Sequence, residues 1–158
     1  WKLYRLETHY ERALNKTVWL PSGGSLVIEP TEAMVVIDVN TSGVTKKKEK
    51  SEIKEDLFLQ INCEPACEIA RQLRLRNLSG IIVIDFINMR YETHKKKLLA
   101  CLREECAKDR IKTNVVDITA LNLVEMTRQK VRKPLHECVN RQRLKCAVEL
   151  EDIYEMED

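Results

Sequence analysis

Two aspartates in this sequence each end a short apolar run with the composition of a buried strand. Asp38 follows Val35-Val36-Ile37, and Asp85 follows Ile82-Val83-Ile84. Adjacent strands are about 4.8 Å apart, so both carboxylates reach the same point if these strands are neighbours. Two carboxylates that close repel each other unless one binds a proton or a cation lies between them. Oxygen ligands in a small cluster suit Mg²⁺ or Mn²⁺, so the pattern predicts a divalent-metal site. The competing interpretation is structural, because an aspartate at a strand end often caps a turn.

Two further polar residues bear on this hypothesis. Asn40 is two residues after Asp38, so in an extended chain it faces the same side of the sheet. Its amide could hold the carboxylate or a phosphate oxygen by hydrogen bonding. Asp117 also ends an apolar run, and for this residue we favour a structural cap over a metal ligand.

Alternating helices and strands are expected to position these residues. Apolar residues spaced three and four apart predict a leading helix within residues 1–17. Two β runs around Gly23-Gly24 are typical of a hairpin, and 33–39 is expected to be a buried strand. A helix with Pro65 in its first turn should follow, and then a strand at 81–86.

The rest of the chain continues the same alternation. A helix is expected around Leu98 and Leu102, followed by strands at 114–118 and 121–126. Strands that alternate with helices imply parallel neighbours, and ligands bind beyond the carboxyl ends of such strands. We therefore predict an α/β fold with a mixed, largely parallel sheet and flanking helices.

The composition excludes several classes of protein. The 158 residues include 27 Lys and Arg and 25 Asp and Glu, and a net charge of +2 does not by itself indicate nucleic-acid binding. The apolar runs are too short to span a bilayer, and the first residues do not form a signal peptide. The cysteines are therefore expected to be reduced intracellular thiols, at positions 63, 67, 101, 106, 138 and 146.

Several blocks of sequence, taken together and in order, resemble the ribonuclease E/G family. They are VWLPSGGSLVIEPTEA at 18–33, IDVNT at 37–41, EIARQLRLRNL at 68–78 leading into IDFINM at 84–89, and NVVDIT at 114–119 with LVEMTR at 123–128. The resemblance runs from about Val18 to Pro134. It predicts a leading helix at 1–17, a catalytic subdomain at 18–134 and a divergent acidic tail at 135–158.

The resemblance implies the deoxyribonuclease-I-like catalytic subdomain of that family. Its activity would be Mg²⁺-dependent endonucleolytic cleavage of single-stranded, often AU-rich RNA, which leaves a 5′-phosphate and a 3′-hydroxyl. Asp38 and Asp85 match the catalytic carboxylates that hold one Mg²⁺, and Asn40 matches the supporting asparagine. A basic residue after the third helix approaches the RNA in the family, and it corresponds to Lys112, with Arg110 close by.

Other basic residues are candidates for contacts with RNA phosphates. The run Lys46–Lys50, which includes Lys47, could bind phosphates or could be a solvated loop. Arg76 ends a cluster of arginines near the end of the second long helix. Some of these side chains should lie over apolar surface, and others should face RNA.

Departures from the family pattern shape the remaining expectations. The family usually continues into a Cys-x-x-Cys zinc link between two protomers, whereas only Cys138 and Cys146 follow Pro134 here. The zinc link is therefore expected to be absent, since these cysteines with His136 make a weak set of ligands. The family's OB-fold and 5′-end sensor would precede Trp1, so we expect a fragment or a reduced relative.

The expected partners are single-stranded RNA and a second copy of the chain, in the cytoplasm of a bacterium or in a plastid. Two other functions remain open at this point. One is a non-catalytic RNA-binding or assembly remnant of the same family. The other is a phospho-acceptor receiver domain, which we rank last because neither strand of the first hairpin ends in an acidic pair.

Overall fold

A computed structural model describes residues 6–40 and 55–138, and it describes side chains at 8–40 and 61–138. The predicted basic loop with Lys47 and most of the acidic tail lie outside these ranges. Three helices and six strands follow one another along the described chain: α1 (Leu6–Leu14), β1 (Thr17–Trp19), β2 (Ser25–Pro30), β3 (Met34–Asn40), α2 (Glu55–Arg76), β4 (Gly80–Asp85), α3 (Glu92–Ala107), β5 (Thr113–Ile118) and β6 (Leu123–Arg128).

The strands form one mixed sheet in the order β1-β2-β3-β4-β6-β5. The predicted α/β class and mixed sheet are confirmed, but the expectation of a largely parallel sheet is wrong. Only β3 and β4 pair in parallel, and the other four pairings of the described strands are antiparallel. The reason lies after β5, where a tight turn with Asn122 at a φ of 63° returns the chain, so that β6 and not β5 pairs with β4.

Alternate residues of the central strands form the core beneath α2 and α3. Ile37 of β3 and Ile84 of β4 are fully buried, and both belong to the cluster that includes Ile69 of α2 and Leu102 of α3. The residues between them point to the opposite face of the sheet, because successive side chains alternate along a strand. The sheet therefore has a helix-covered face and an open face.

Helix α2 is longer than predicted and contains Pro65 in its interior. The sequence analysis put this proline in the first turn, where its missing N–H costs nothing. An interior proline costs roughly 3 kcal/mol. Burial of Ala66, Ile69 and Leu73 on the apolar face of α2 offsets that cost, because tertiary packing stabilises the helix.

The described helices have no membrane-spanning character. None of α1, α2 and α3 combines the length and the apolar composition needed to cross a bilayer.

Candidate functional site

Asp38 and Asp85 lie side by side in the sheet. They are register partners in the single parallel pair, β3 and β4, and so occupy neighbouring strands about 4.8 Å apart. Paired residues point to the same face, and the buried Ile37 and Ile84 that precede them point to the other. Both carboxylates therefore stand on the open face, at the carboxyl ends of the two parallel strands.

Asn40 holds one of these carboxylates in position. Its Nδ2 donates a hydrogen bond of 2.8 Å to Oδ2 of Asp38. Within the described ranges, neither Asp38 nor Asp85 forms an ion pair with a basic side chain. The site is thus a pair of adjacent, uncompensated carboxylates with one amide support. Such a donor set fits Mg²⁺, which is commonly bound by one or two carboxylates and keeps open positions for water and phosphate oxygens.

The chain just after Asp85 is fixed by a residue that the sequence analysis did not single out. Asn62 of α2 is fully buried and accepts a 3.1 Å hydrogen bond from the backbone N–H of Ile87. Its Nδ2 donates a second bond of 2.9 Å to the carbonyl of Ile87. This residue could have been noticed in the sequence, because an asparagine at the helical spacing of Ala66, Ile69 and Leu73 places a polar group on an apolar face.

Trp19 is a second residue that the sequence analysis missed. The last residue of β1, it is 71% exposed and pairs with Ser25, which in turn pairs with Asn40 of β3. These three residues form a row on the open face of the sheet. Trp19 and Asn40 are two strand spacings (~10 Å) apart in that row. This exposed tryptophan provides a flat apolar surface on the same face of the sheet as the carboxylate pair, separated from it by β2.

The structure separates the predicted RNA-contacting residues Lys112 and Arg110 from the carboxylates. Lys112 directly precedes β5, whose first residue pairs with Arg128, the partner of Gly80 at the start of β4. The strand rise from Gly80 to Asp85 amounts to ~17 Å. Lys112 and Arg110 are exposed, but they lie at the opposite end of the sheet from Asp38 and Asp85.

Arg76 also lies away from the carboxylates, and it is buried. Only 6% of the residue is exposed, so it offers little surface to RNA. Its surroundings are described below.

Asp117 does not join the carboxylate pair. It is exposed in β5, next to a bulge, and its Oδ1 accepts a hydrogen bond of 2.8 Å from the N–H of Ile118. This local bond agrees with the structural role that the sequence analysis favoured.

The cysteines of the described region are free thiols, and burial makes two of them poorly reactive. Burial raises the pKa of Cys106 to about 11, and burial together with the nearby Cys63 raises the pKa of Cys101 to about 11. Thiols with raised pKa values are weak nucleophiles at neutral pH. Cys101 and Cys106 therefore act as small apolar side chains between α2 and α3.

The fold and the site together define a class: an α/β domain with an uncompensated carboxylate pair across its one parallel strand pair. The sequence profile of the ribonuclease E/G family matches residues 1–131. Ribonuclease G of Escherichia coli is 44% identical over 133 residues, which is 84% of this chain and 26% of that protein. Ribonuclease G of Haemophilus influenzae is 45% identical over the same shares. Ribonuclease E of Nostoc is 40% identical over 134 residues, 85% of this chain and 19% of that protein.

The chain therefore belongs to the ribonuclease E/G family. It spans about a quarter of the length of the ribonuclease G relatives. The matched range begins at residue 1 and so includes α1, whereas the sequence resemblance was recognised only from Val18 onward.

Proposed function

We propose that this chain is the catalytic subdomain of a Mg²⁺-dependent endoribonuclease that acts in RNA processing and decay in the bacterial cytoplasm. It would cut single-stranded, AU-rich RNA and leave 5′-phosphate and 3′-hydroxyl ends. The observation that carries the proposal is the register pair of Asp38 and Asp85, two adjacent carboxylates with no basic partner in the described ranges. Relatives named as ribonucleases support the choice of RNA as the substrate.

Asp38 and Asp85 would hold one Mg²⁺ between them. A divalent cation at this point supplies charge that polarises a scissile phosphate and activates water as the nucleophile. Asn40 would keep Oδ2 of Asp38 turned toward the ion through its 2.8 Å hydrogen bond. Asn62 would act further back, since its two bonds to Ile87 restrain the backbone that leaves Asp85.

The open face suggests how the RNA strand would lie. Trp19 could stack on an unpaired base next to the cleavage site, and stacking of this kind requires a single strand. Lys112 and Arg110 would bind phosphates further along the strand, because they lie at the far end of the sheet. The substrate would then be held at separated points, with its scissile phosphate at the carboxylate pair.

A cleavage assay tests the proposal. The chain should cut a short AU-rich single strand in Mg²⁺ and stop when the metal is chelated, and the products should carry 5′-phosphates. Asp38→Asn and Asp85→Asn should each slow cleavage about a thousandfold, which corresponds to roughly 4 kcal/mol of lost transition-state stabilisation. Asn40→Ala should cost less, because it removes an orienting group and not a ligand.

Asp117→Asn is the matched control, since it removes an exposed strand carboxylate outside the site and should leave cleavage almost unchanged. Circular dichroism confirms that each variant is folded. A folded Asp38→Asn or Asp85→Asn variant that cuts at the parent rate would show that the site is wrong. A parent chain that binds Mg²⁺ and RNA without cutting would instead support the non-catalytic remnant.

A further inference from the structure

A buried arginine outside the carboxylate site has an unused hydrogen-bond donor. Arg76 is the last residue of α2, and its Nε donates a 2.7 Å bond to Oε1 of Gln72, a neutral amide. Its Nη2 is buried and has no hydrogen-bond partner among the residues that the structure describes. A buried guanidinium group without a partner on one nitrogen is costly, because desolvation of a charged donor is not repaid.

The carboxylate of Glu68, which acts on Arg76 electrostatically, does not neutralise it. Glu68 accepts two hydrogen bonds from Arg71, at 2.7 and 2.8 Å, and a third from Gln72 at 2.7 Å. In the part of the chain that the structure describes, Arg76 itself forms no ion pair. Burial lowers the pKa of Arg76, and the negative charge of Glu68 only partly opposes that lowering.

Arg128 shows how the same fold satisfies a buried arginine. Its Nε bonds Asp109 at 2.8 Å, and its Nη1 bonds Asn77 and the carbonyl of Leu78, both at 3.0 Å. Arg128 is 2% exposed and Arg76 is 6% exposed, so the two are buried alike. The difference is that Arg128 has a carboxylate partner and Arg76 has none.

Arg76 lines a cavity of about 360 Å³ between the end of α1, the end of β2 and the segment after β6. This volume is within the range of small-ligand sites, roughly 300–1,000 Å³. Two other charged residues line it, but Lys16 is already paired with Glu29. The remaining lining is the imidazole of His136 and six aliphatic residues: Ala13, Leu14, Ile28, Pro30, Leu78 and Leu135.

We propose that this cavity binds a small monocarboxylic acid with an apolar chain, whose carboxylate pairs with Arg76. Because Lys16 and Glu29 neutralise each other at the wall, Arg76 gives the cavity one excess positive charge, which a monoanion balances and a dianion such as a phosphate monoester exceeds. A carboxylate also matches the planar guanidinium group in geometry. The aliphatic lining accepts the chain of the acid. This site is separate from the proposed cleavage site, and the inference does not depend on that activity.

Titration of the full chain with octanoate, followed by two-dimensional NMR and calorimetry, tests the proposal. An acid of about ten non-hydrogen atoms is expected to bind with a dissociation constant on the order of a millimolar. Octanol and octyl phosphate serve as neutral and dianionic probes of the same chain length. Both should bind at least about tenfold more weakly than octanoate.

Two variants separate the role of Arg76 from a general effect of charge. Arg76→Gln should weaken octanoate binding about tenfold or more. Arg90→Gln, which removes an exposed arginine that neither lines the cavity nor bonds to Glu68, should leave binding unchanged. If Arg76→Gln does not fold, Ala13→Leu narrows the cavity while it keeps the guanidinium group, and it should also weaken binding.

Three results would overturn the proposal. They are no octanoate binding by the parent chain, equal binding by a folded Arg76→Gln or Ala13→Leu variant, and tighter binding of octyl phosphate or octanol than of octanoate.

Discussion

The pair of carboxylates on the open face lowers the stability of the fold locally. Aspartate is disfavoured in strands, and like charges on directly paired residues destabilise a sheet. Asp38 and Asp85 combine both penalties at one register position. A divalent cation would turn this repulsion into attraction, so the same two residues link stability to metal binding.

This link predicts that the mutation and the metal each stabilise the fold, and that the variant no longer responds to the metal. In a chelator, Asp85→Asn should raise the free energy of unfolding by about 0.5–1 kcal/mol, because it removes the like-charge pair. Added Mg²⁺ should raise the melting temperature of the parent chain, but not that of the variant. Thermal unfolding with and without Mg²⁺ measures both effects. Asp117→Asn is the control for the metal response alone, because Asp117 is paired with Glu125 and its removal also relieves like-charge repulsion. An equal metal response in parent and Asp85→Asn would contradict the assignment.

Trp19 should contribute to RNA binding through stacking. Trp19→Ala is expected to weaken binding of a short single strand by about 1–3 kcal/mol, the usual value for one stacked base. Trp19→Phe keeps an aromatic ring and should recover part of the loss. Fluorescence anisotropy of a labelled RNA measures the affinities. If Trp19→Ala and the parent chain bind RNA equally, the exposed ring has no role in binding.

The buried ion pair of Arg128 and Asp109 should make stability depend on pH. Burial by itself raises the pKa of Asp109, but hydrogen bonds from Arg128 and from the N–H of Ile111 outweigh it and hold the pKa below its ordinary value. In the unfolded chain this pKa is about 3.9. Asp109 therefore contributes stability above about pH 4, and that contribution is lost as the pH falls through its folded pKa.

Urea denaturation of the parent and of Asp109→Asn measures this contribution. The difference in the free energy of unfolding should be largest near neutral pH and should shrink below about pH 4. Arg128→Met should cost about 3–5 kcal/mol at neutral pH, because it leaves a buried carboxylate without its partner. A difference between parent and Asp109→Asn that stays constant with pH would exclude the ion pair as its source.

At the scale of elements, α2 connects the core to the candidate site. Its apolar face packs on the sheet, and Asn62 on that same face holds the peptide of Ile87, just beyond Asp85. The helix therefore positions the end of β4 by packing and by hydrogen bonding together.

Asn62 should affect both stability and cleavage. Asn62→Ala removes both bonds to Ile87 and is expected to cost about 1–3 kcal/mol of stability. Asn62→Asp keeps an acceptor for the Ile87 N–H but buries a carboxylate against the Ile87 carbonyl, so it should cost at least as much stability as Asn62→Ala. Cleavage should slow in the same order under conditions where all three chains are folded. A variant that loses stability but cuts at the parent rate would limit Asn62 to the core.

At the scale of the whole molecule, the sheet places the carboxylates and the basic residues at opposite ends. Lys112 and Arg110 cannot assist the chemistry directly, so their contribution is expected in affinity alone. Under the proposed function, this arrangement would separate phosphate binding from phosphate cleavage.

The salt dependence of RNA binding tests that separation. Lys112→Ala should weaken binding and lower the slope of log K against log salt by about 0.7, the value for one phosphate contact on a single strand. The rate at saturating RNA should remain that of the parent chain. Lys130→Ala removes an exposed lysine after β6 and is the comparison for general charge. A lower saturated rate for Lys112→Ala would place this residue in the chemistry instead.

Most local features followed from the sequence because they depend on short-range rules. The alternation around Asp38 and Asp85, the hairpin at Gly23-Gly24 and the spacing of the α2 face each involve residues close in the chain. Side-chain periodicity determines which residues are buried, so the candidate carboxylates could be identified before any strand pairing was known.

The tertiary structure decided which of these residues meet. Strand order and direction depend on contacts between distant segments, so periodicity could not show that β6 lies antiparallel between β4 and β5. For the same reason, the sequence could not give the distance between Lys112 and Asp85. It also predicted Pro65 at the start of a helix and Arg76 on a surface that faces RNA. Packing across the sheet and helices, which no local pattern encodes, decides these features. It puts Pro65 inside a helix, buries Arg76 and brings Trp19 into the same cross-strand row as Asn40.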